Sequence, residues 1–347
     1  VERRILPLRL DREHQRAYDR FRDDCIQAMK DAKEQTNASG EEVRLAGAFL
    51  HTLRGYAVAP WRAEHLRDKH GGIWASAPNL EMVCPVCGKG AHSPSDDCEG
   101  ADQPQVHRPC AFGPERALLD EVKSQVARGR RVVVFVDQTR TRDIITPRLI
   151  PLCEAEGLQA IFCDVEAGKR GAWIEKHALY CDVMFVNPKA VETGLNLIQF
   201  ATAIFFEIPY SLYVFKQAAA RLRRPTQTQK VEIVYLNVSD TIVAQALELM
   251  FEKLTASAIF RGESVEGTLG TVSGSGSFLA ELMRRVVENA RVDNLEAMFA
   301  RYNRLEADNE GFFQDYDLSS YETVETISRR KTVVAAGPVS GKQLALL

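Results

Sequence analysis

Between Arg131 and Leu236 the chain alternates short apolar runs with segments of helical length, and this alternation limits its fold more than any other feature. The runs are Arg131–Val136, Leu158–Cys163, Asp182–Val186, Ala201–Phe206 and Val231–Leu236. Each is short, nearly continuously apolar and rich in β-branched or aromatic residues, the pattern of strands buried on both faces. The intervening segments, near residues 141–156, 169–180, 195–200 and 211–224, have crossover length. Repeated βαβ units of this size predict an α/β fold, a doubly wound parallel sheet. Such sheets bind ligands beyond the carboxyl ends of their strands. Asp137-Gln-Thr139, Asp164, Asn187-Pro-Lys189 and Glu207-Ile-Pro209 would all gather there.

The segment from Ser211 to Arg224 reads as one helix. At that periodicity Gln217, Arg221 and Arg224 fall at i, i+4 and i+7, on one face. Pro225 ends the helix, because it has no N–H to donate and disfavours the α conformation in the residue before it. Two guanidiniums on one face suit a triphosphate: a planar, permanently charged group stabilises the negative charge that spreads over the equatorial oxygens during phosphoryl transfer. A solvated basic face near a helix C-terminus, where cations suit the dipole, accounts for the same residues.

The region from about Ala117 to Gln245 resembles the second RecA-like lobe of helicase superfamily two, and within it the chromatin-remodeller-type (Swi/Snf-like) DNA translocases. The resemblance is carried by Gly194-Leu-Asn-Leu197, by Glu207 to Pro209, and by Gln217 to Gln227 with Arg221 and Arg224. Upstream, Leu53-Arg54 with Pro60 is similar to the family's Leu-Arg…Pro segment, and Leu6 to Gln15 followed by Tyr18 to the lead-in before it. Downstream, Asp240-Thr-Ile242 and Ala244 resemble the family's Thr-Ile-Glu helix without its Glu. The resemblance implies an ATP-dependent translocase or helicase. Arg221 and Arg224 would be its arginine fingers, Gly194, Asn196 and Gln217 would line the nucleotide, ATP with its magnesium would be bound mostly by the missing lobe, and double-stranded DNA would be the track. DNA contacts are expected on the loops carrying Thr139, Arg140 and Lys189.

The sequence also departs from that pattern. Ala220, Thr226, Val191 and Glu192 stand where the family has glycines, which removes backbone freedom near the phosphate site. No Gly-x-x-x-x-Gly-Lys-[Ser/Thr] loop is present. Gly337-Pro-Val-Ser-Gly-Lys342 is one residue short and lacks the hydroxyl, and Asp120-Glu121 reads as a surface acid pair on an amphipathic helix from Pro114 to Arg128. With Val1 as first residue, the expectation is a fragment whose N-terminal partner lobe lies upstream, inactive as an ATPase alone. The alternative is a non-catalytic platform for DNA or protein, built on a degenerate lobe.

Cys84-Pro-Val-Cys87-Gly, followed by Cys98 and Cys110, places two thiolates on one side of a tight turn with further cysteines to close a tetrahedral site. The expected metal is zinc, held by Cys84, Cys87, Cys98 and Cys110, with His92 or His107 able to substitute. A redox pair or buried thiols are the other readings of these residues. Cys25, Cys153, Cys163 and Cys181 lie on apolar faces or strands, where a thiol behaves as a small hydrophobe.

The chain has 347 residues, 44 of them Lys or Arg and 47 Asp or Glu, for a net charge of −3. That balance argues against a broad nucleic-acid-binding field but permits local contacts at Arg128–Arg131, Arg140–Arg148 and Arg221–Arg224. With no disulfide framework, signal peptide or membrane-length apolar run, the expected setting is reducing and cytoplasmic, in the nucleoid or nucleus if DNA-associated, with no membrane partner. A helix from Asp11 to Lys33 carries Tyr18, Phe21, Cys25 and Met29 on one face. The organisation expected is a helical lead-in over 1–64, a zinc-binding insertion over 65–113, the motor lobe over 114–261, and a linker, helix and flexible tail over 262–347, where protein partners could dock.

Overall fold

The five apolar runs form five of the six strands of one parallel sheet, four inside it and Leu158–Cys163 at an edge, where it is covered less fully than expected. In a computed structural model, residues 1–39, 45–61, 64–80, 82–83, 98–99, 106–107, 111–137, 148–191, 195–222, 227–259, 278–288, 292 and 295–314 are described. The elements run β1 (Glu2–Leu8), α1 (Arg12–Ser39), α2 (Ala46–Val58), β2 (Glu64–Arg67), β3 (Ile73–Ala77), β4 (Met82–Val83), β5 (Val106–His107), α3 (Gly113–Ala127) and β6 (Val132–Phe135). They continue with α4 (Ile150–Ala155), β7 (Ala160–Phe162), α5 (Arg170–His177), β8 (Val183–Val186), β9 (Thr202–Phe205), α6 (Leu212–Ala220), β10 (Glu232–Val238), α7 (Ile242–Ile259), α8 (Phe278–Val287) and α9 (Leu295–Gln314). The unit Val1–Tyr302 contains the whole sheet, and Asn303–Leu347 forms a second unit.

Six strands lie in the order β1-β10-β9-β6-β8-β7, and every pairing is parallel. The fold is therefore the expected α/β class, a doubly wound parallel sheet. Every residue of β6, β8, β9 and β10 is buried, whereas the edge strands β1 and β7 are only partly covered. Burial of each large apolar side chain in these strands contributes roughly 1.5–3 kcal/mol. The sixth strand, β1, comes from the N-terminal lead-in. As an edge strand it tolerates Pro7, whose missing N–H would break a central ladder.

The row Phe135, Phe205 and Tyr235 is in register across β6, β9 and β10. Phe215 of α6 lies over it, with ring centroids 4.9 Å from Phe205 and 5.2 Å from Tyr235. These contacts fix α6 to the sheet. Its N-terminus is capped by Ser211, whose hydroxyl accepts from the Val214 N–H at 3.3 Å. In α1, Tyr18, Phe21 and Cys25 are buried as their spacing predicts, and the Tyr18 hydroxyl accepts from the Ile242 N–H at the start of α7, 2.8 Å away. The β2–β3 hairpin adds Leu66, Ala75 and Ala77 to the same core.

Three expectations are corrected. Residues 195–200 are not a helix: Leu195 and Leu197 are buried while Asn196 between them is exposed, an alternation that tucks a loop against the core. Glu121 is not a surface acid, because it is 8% exposed and its carboxylate binds Arg4 of β1 and accepts from Gln125 Nε2 at 2.8 Å. The helix over 211–224 is shorter than expected. Its last residue is Ala220, Arg221 is the cap, and residues 223–226 lie outside the described ones.

Candidate functional site at the carboxyl edge of the sheet

From β6 the chain first builds β7 and β8 on one side of that strand, then β9 and β10 on the other. This reversal opens a crevice at the carboxyl ends of β8, β6 and β9, where doubly wound sheets place ligands. Asp137 follows β6, Asn187 follows β8 and Glu207 follows β9. The Asp137 N–H donates to Glu207 Oε2 at 2.8 Å, and Asn187 Nδ2 donates to the Asp137 carbonyl at 3.2 Å. Three of the strand-end residues expected on this edge are thus joined in one network. Asp164, after the outer strand β7, is exposed.

One side chain reaches this edge from α2. Arg54 of α2, 1% exposed, donates through Nη1 to Asp137 Oδ2 at 2.9 Å and to the Ile208 carbonyl at 2.7 Å. Its guanidinium lies 4.4 Å from the Tyr210 ring centroid, and the Tyr210 hydroxyl donates back to the Leu50 carbonyl of α2 at 3.1 Å. Burial opposes the Arg54 charge, but Tyr210, Glu207 and Asp137 outweigh it, and the group stays firmly protonated. His51 Nδ1 is 3.3 Å from Arg54 Nη2. Partial burial, then the Arg54 charge, lower the His51 pKa below its ordinary value, so at neutral pH the imidazole is uncharged.

Arg54 appears in the sequence as part of a matching segment without a role. One signal pointed to it: arginine is the only Lys, Arg, Asp or Glu in the thirteen residues AGAFLHTLRGYAV of α2. A lone permanent charge in a helix that is otherwise apolar needs a buried partner.

Of the residues expected to contact DNA, Lys189 sits at this edge in a short 3₁₀ turn, Pro188–Val191. Its N–H donates to Asn187 Oδ1 at 2.9 Å, and its exposed ammonium lies 3.9 Å from Asp137 Oδ1. Thr139 and Arg140 lie outside the described residues. Other arginines of the basic clusters hold the fold instead. Arg148 binds the buried Glu115 at 2.7 Å, and Arg130 donates to Thr202 Oγ1 at 2.9 Å and to the Ala201 carbonyl at 2.7 Å.

Of the residues expected on the nucleotide side, Asn196, Gln217 and Arg221 lie near the far end of α6. Arg221 offers its carbonyl to the Leu197 N–H at 3.3 Å, which brings the loop of Asn196 against the helix end. Arg221 Nη2 lies 3.5 Å from Gln217 Oε1, so these two share a face as the i, i+4 spacing requires. Gln227 Nε2 donates to the carbonyls of Ile198, Phe200 and Leu222, tying the following loop to the same place. Gly194 and Arg224 lie outside the described residues.

So do Cys84, Cys87, Cys110 and His92; Cys98 is half-buried, and of His107 the backbone alone is described. The described residues contain no group of three or more His, Cys, Asp or Glu able to hold a metal. The ladder pairing Met82 with His107 and Val83 with Val106 draws together the two ends of the segment that contains Cys84, Cys87 and Cys98. No described helix is long and apolar enough to cross a membrane.

No protein-family model matches this sequence, and no curated protein matches it. Among solved structures, one similar chain is described as the crystal structure of the C-terminal part of the Fun30 ATPase domain. It shares 16% identity at a TM-score of 0.49, over 71% of this chain and 86% of that one. At that distance the likeness carries no argument about activity, which rests on the residues themselves.

Proposed function

We propose that this chain is the C-terminal motor lobe of an ATP-dependent DNA translocase or helicase. Arg221, with Arg224, would act as arginine finger on the γ-phosphate, and Gly194, Asn196 and Gln217 would line the nucleotide. Lys189, with Thr139 and Arg140, would grip the phosphate backbone of duplex DNA. A second RecA-like lobe would supply the phosphate loop and the magnesium ligands, so the chain alone would not hydrolyse ATP. The observation that carries the reading is the convergence of three separate segments. The Asn196 loop, the Gln217–Arg221 face and Gln227 meet at one end of α6, while Lys189 stands on the turn that follows β8.

Zinc on Cys84, Cys87, Cys98 and Cys110 would clamp the segment closed by β4 and β5. The donor set suits the metal, since thiolates in a knuckle followed by further thiolates form a closed tetrahedral site. Its contribution would be to the stability of that segment.

The test is DNA-stimulated ATP hydrolysis by the longest natural chain containing this sequence, wild type beside Arg221→Ala and Arg224→Ala. Duplex DNA should stimulate the wild type, and each substitution should lower turnover by ~10³–10⁵, the range of an arginine finger. If hydrolysis is missing, or neither substitution changes it, the motor reading falls and the non-catalytic binding platform takes its place.

A further inference from the structure

Arg54 and Lys189 approach different oxygens of the same carboxylate. Arg54 Nη1 holds Asp137 Oδ2 at 2.9 Å inside the protein, whereas Lys189 Nζ stops 3.9 Å short of Oδ1, too far for a hydrogen bond. Asp137 Oδ1 has no hydrogen-bond partner among the described residues, and its side chain is 3% exposed against 58% for Lys189. One buried anion is therefore offered two cations and is bonded by the buried one. A carboxylate left without its buried partner would take the nearest ammonium, because an uncompensated charge at such a site is costly.

We propose that Arg54 is a positioning residue that keeps Lys189 available to a phosphate by neutralising Asp137 from behind. The proposal rests on the motor reading for its ligand, the phosphodiester backbone of duplex DNA, but not for its geometry. The other bonds of Arg54 extend the same control. By holding the Ile208 carbonyl and packing on Tyr210, it also sets the loop that leads into α6 and its Gln217–Arg221 face. A purely structural role would alter stability and leave the freedom of Lys189 unchanged in the folded protein.

Two readouts on the full chain test this. The first needs no DNA: acetylation of Lys189 by acetic anhydride, followed by mass spectrometry with Lys176 as internal reference. In folded Arg54→Met, Lys189 labelling is expected to fall about tenfold, the factor of a hydrogen bond to a charged group. The double variant Arg54→Met/Asp137→Asn, which removes both charges, should restore wild-type labelling. Should Arg54→Met fail to fold, Arg54→Gln, neutral but still a donor, takes its place with the same expectation. The second readout is the salt dependence of binding to a blunt DNA duplex. Arg54→Met and Lys189→Ala should each lose about one unit of slope, one phosphate contact, with no further loss when combined. Unchanged labelling of Lys189 in the folded variant, or no recovery in the double variant, overturns the proposal whatever the DNA result. If labelling behaves as expected while the wild type binds no duplex, the DNA reading fails and the positioning role of Arg54 stands.

Discussion

Arg54 and Asp137 are 83 positions apart in the sequence and 2.9 Å apart in space, with side-chain exposures of 2% and 3%. The pair joins the helical lead-in to the carboxyl edge of the sheet. It also sets a buried ion pair at the strand ends where a fold of this class ordinarily seats a ligand.

Removing one member of that pair strands the other as a buried charge. Arg54→Ala should cost about 3–5 kcal/mol, while replacing both residues by apolar ones of similar volume, Arg54→Met with Asp137→Leu, should be close to neutral. Urea unfolding of wild type, Arg54→Ala and the double variant checks this. A double variant that loses as much stability as Arg54→Ala would show that the stranded Asp137 charge is not the source of the cost.

Phe215 holds α6 against Phe205 and Tyr235, two residues before Gln217. Phe215→Ala should destabilise by about 3–5 kcal/mol through lost burial and the cavity left behind. Phe215→Leu, which keeps most of the volume, should cost markedly less. Denaturant midpoints for the two variants settle the order.

His51 binds a proton more weakly in the folded chain than in the unfolded one, because burial and Arg54 disfavour its charged form. Its contribution to stability is therefore fully present above the ordinary histidine value of 6.5 and is lost as pH falls below it. Wild type should lose stability more steeply than His51→Gln on acidification through that range. Parallel slopes in unfolding experiments would show that His51 is not the responsible group.

Burial pushes the thiols of Cys25, Cys153 and Cys181 up to about 12 and that of Cys163 to about 11. The thiolate is the reactive form, so these four should resist alkylation at pH 8 until the chain unfolds. If zinc is bound as proposed, Cys84, Cys87, Cys98 and Cys110 should also be protected until a chelator removes the metal. Mass mapping of iodoacetamide adducts with and without chelator reads both groups. Full modification of Cys84 and Cys87 before chelation would remove the zinc assignment.

The central strands were legible because their signal is local. Runs such as Val132–Phe135 and Val183–Val186 are apolar at every position, and only a strand covered on both faces needs that. The carboxyl-edge location of Asp137, Asn187 and Glu207 followed from the same runs, since each residue directly ends or follows one. The i, i+4 relation of Gln217 and Arg221 was equally local, set by the helical repeat.

Tertiary structure decided what depended on distant partners. Strand β1 was hidden because an edge strand is covered on one side only and so lacks the continuous apolar signature; its place was set by pairing with β10, more than two hundred residues away. Glu121 looked like a surface acid until Arg4 of that strand supplied its counter-charge. The sequence by itself determined a parallel α/β sheet and the residues at its polar edge, because burial periodicity and helical spacing act over a few residues. That Arg54 would pair with Asp137, and that Lys189 would stand 3.9 Å from the same carboxylate, was decided by packing, because an ion pair 83 residues apart leaves no periodic trace in the chain.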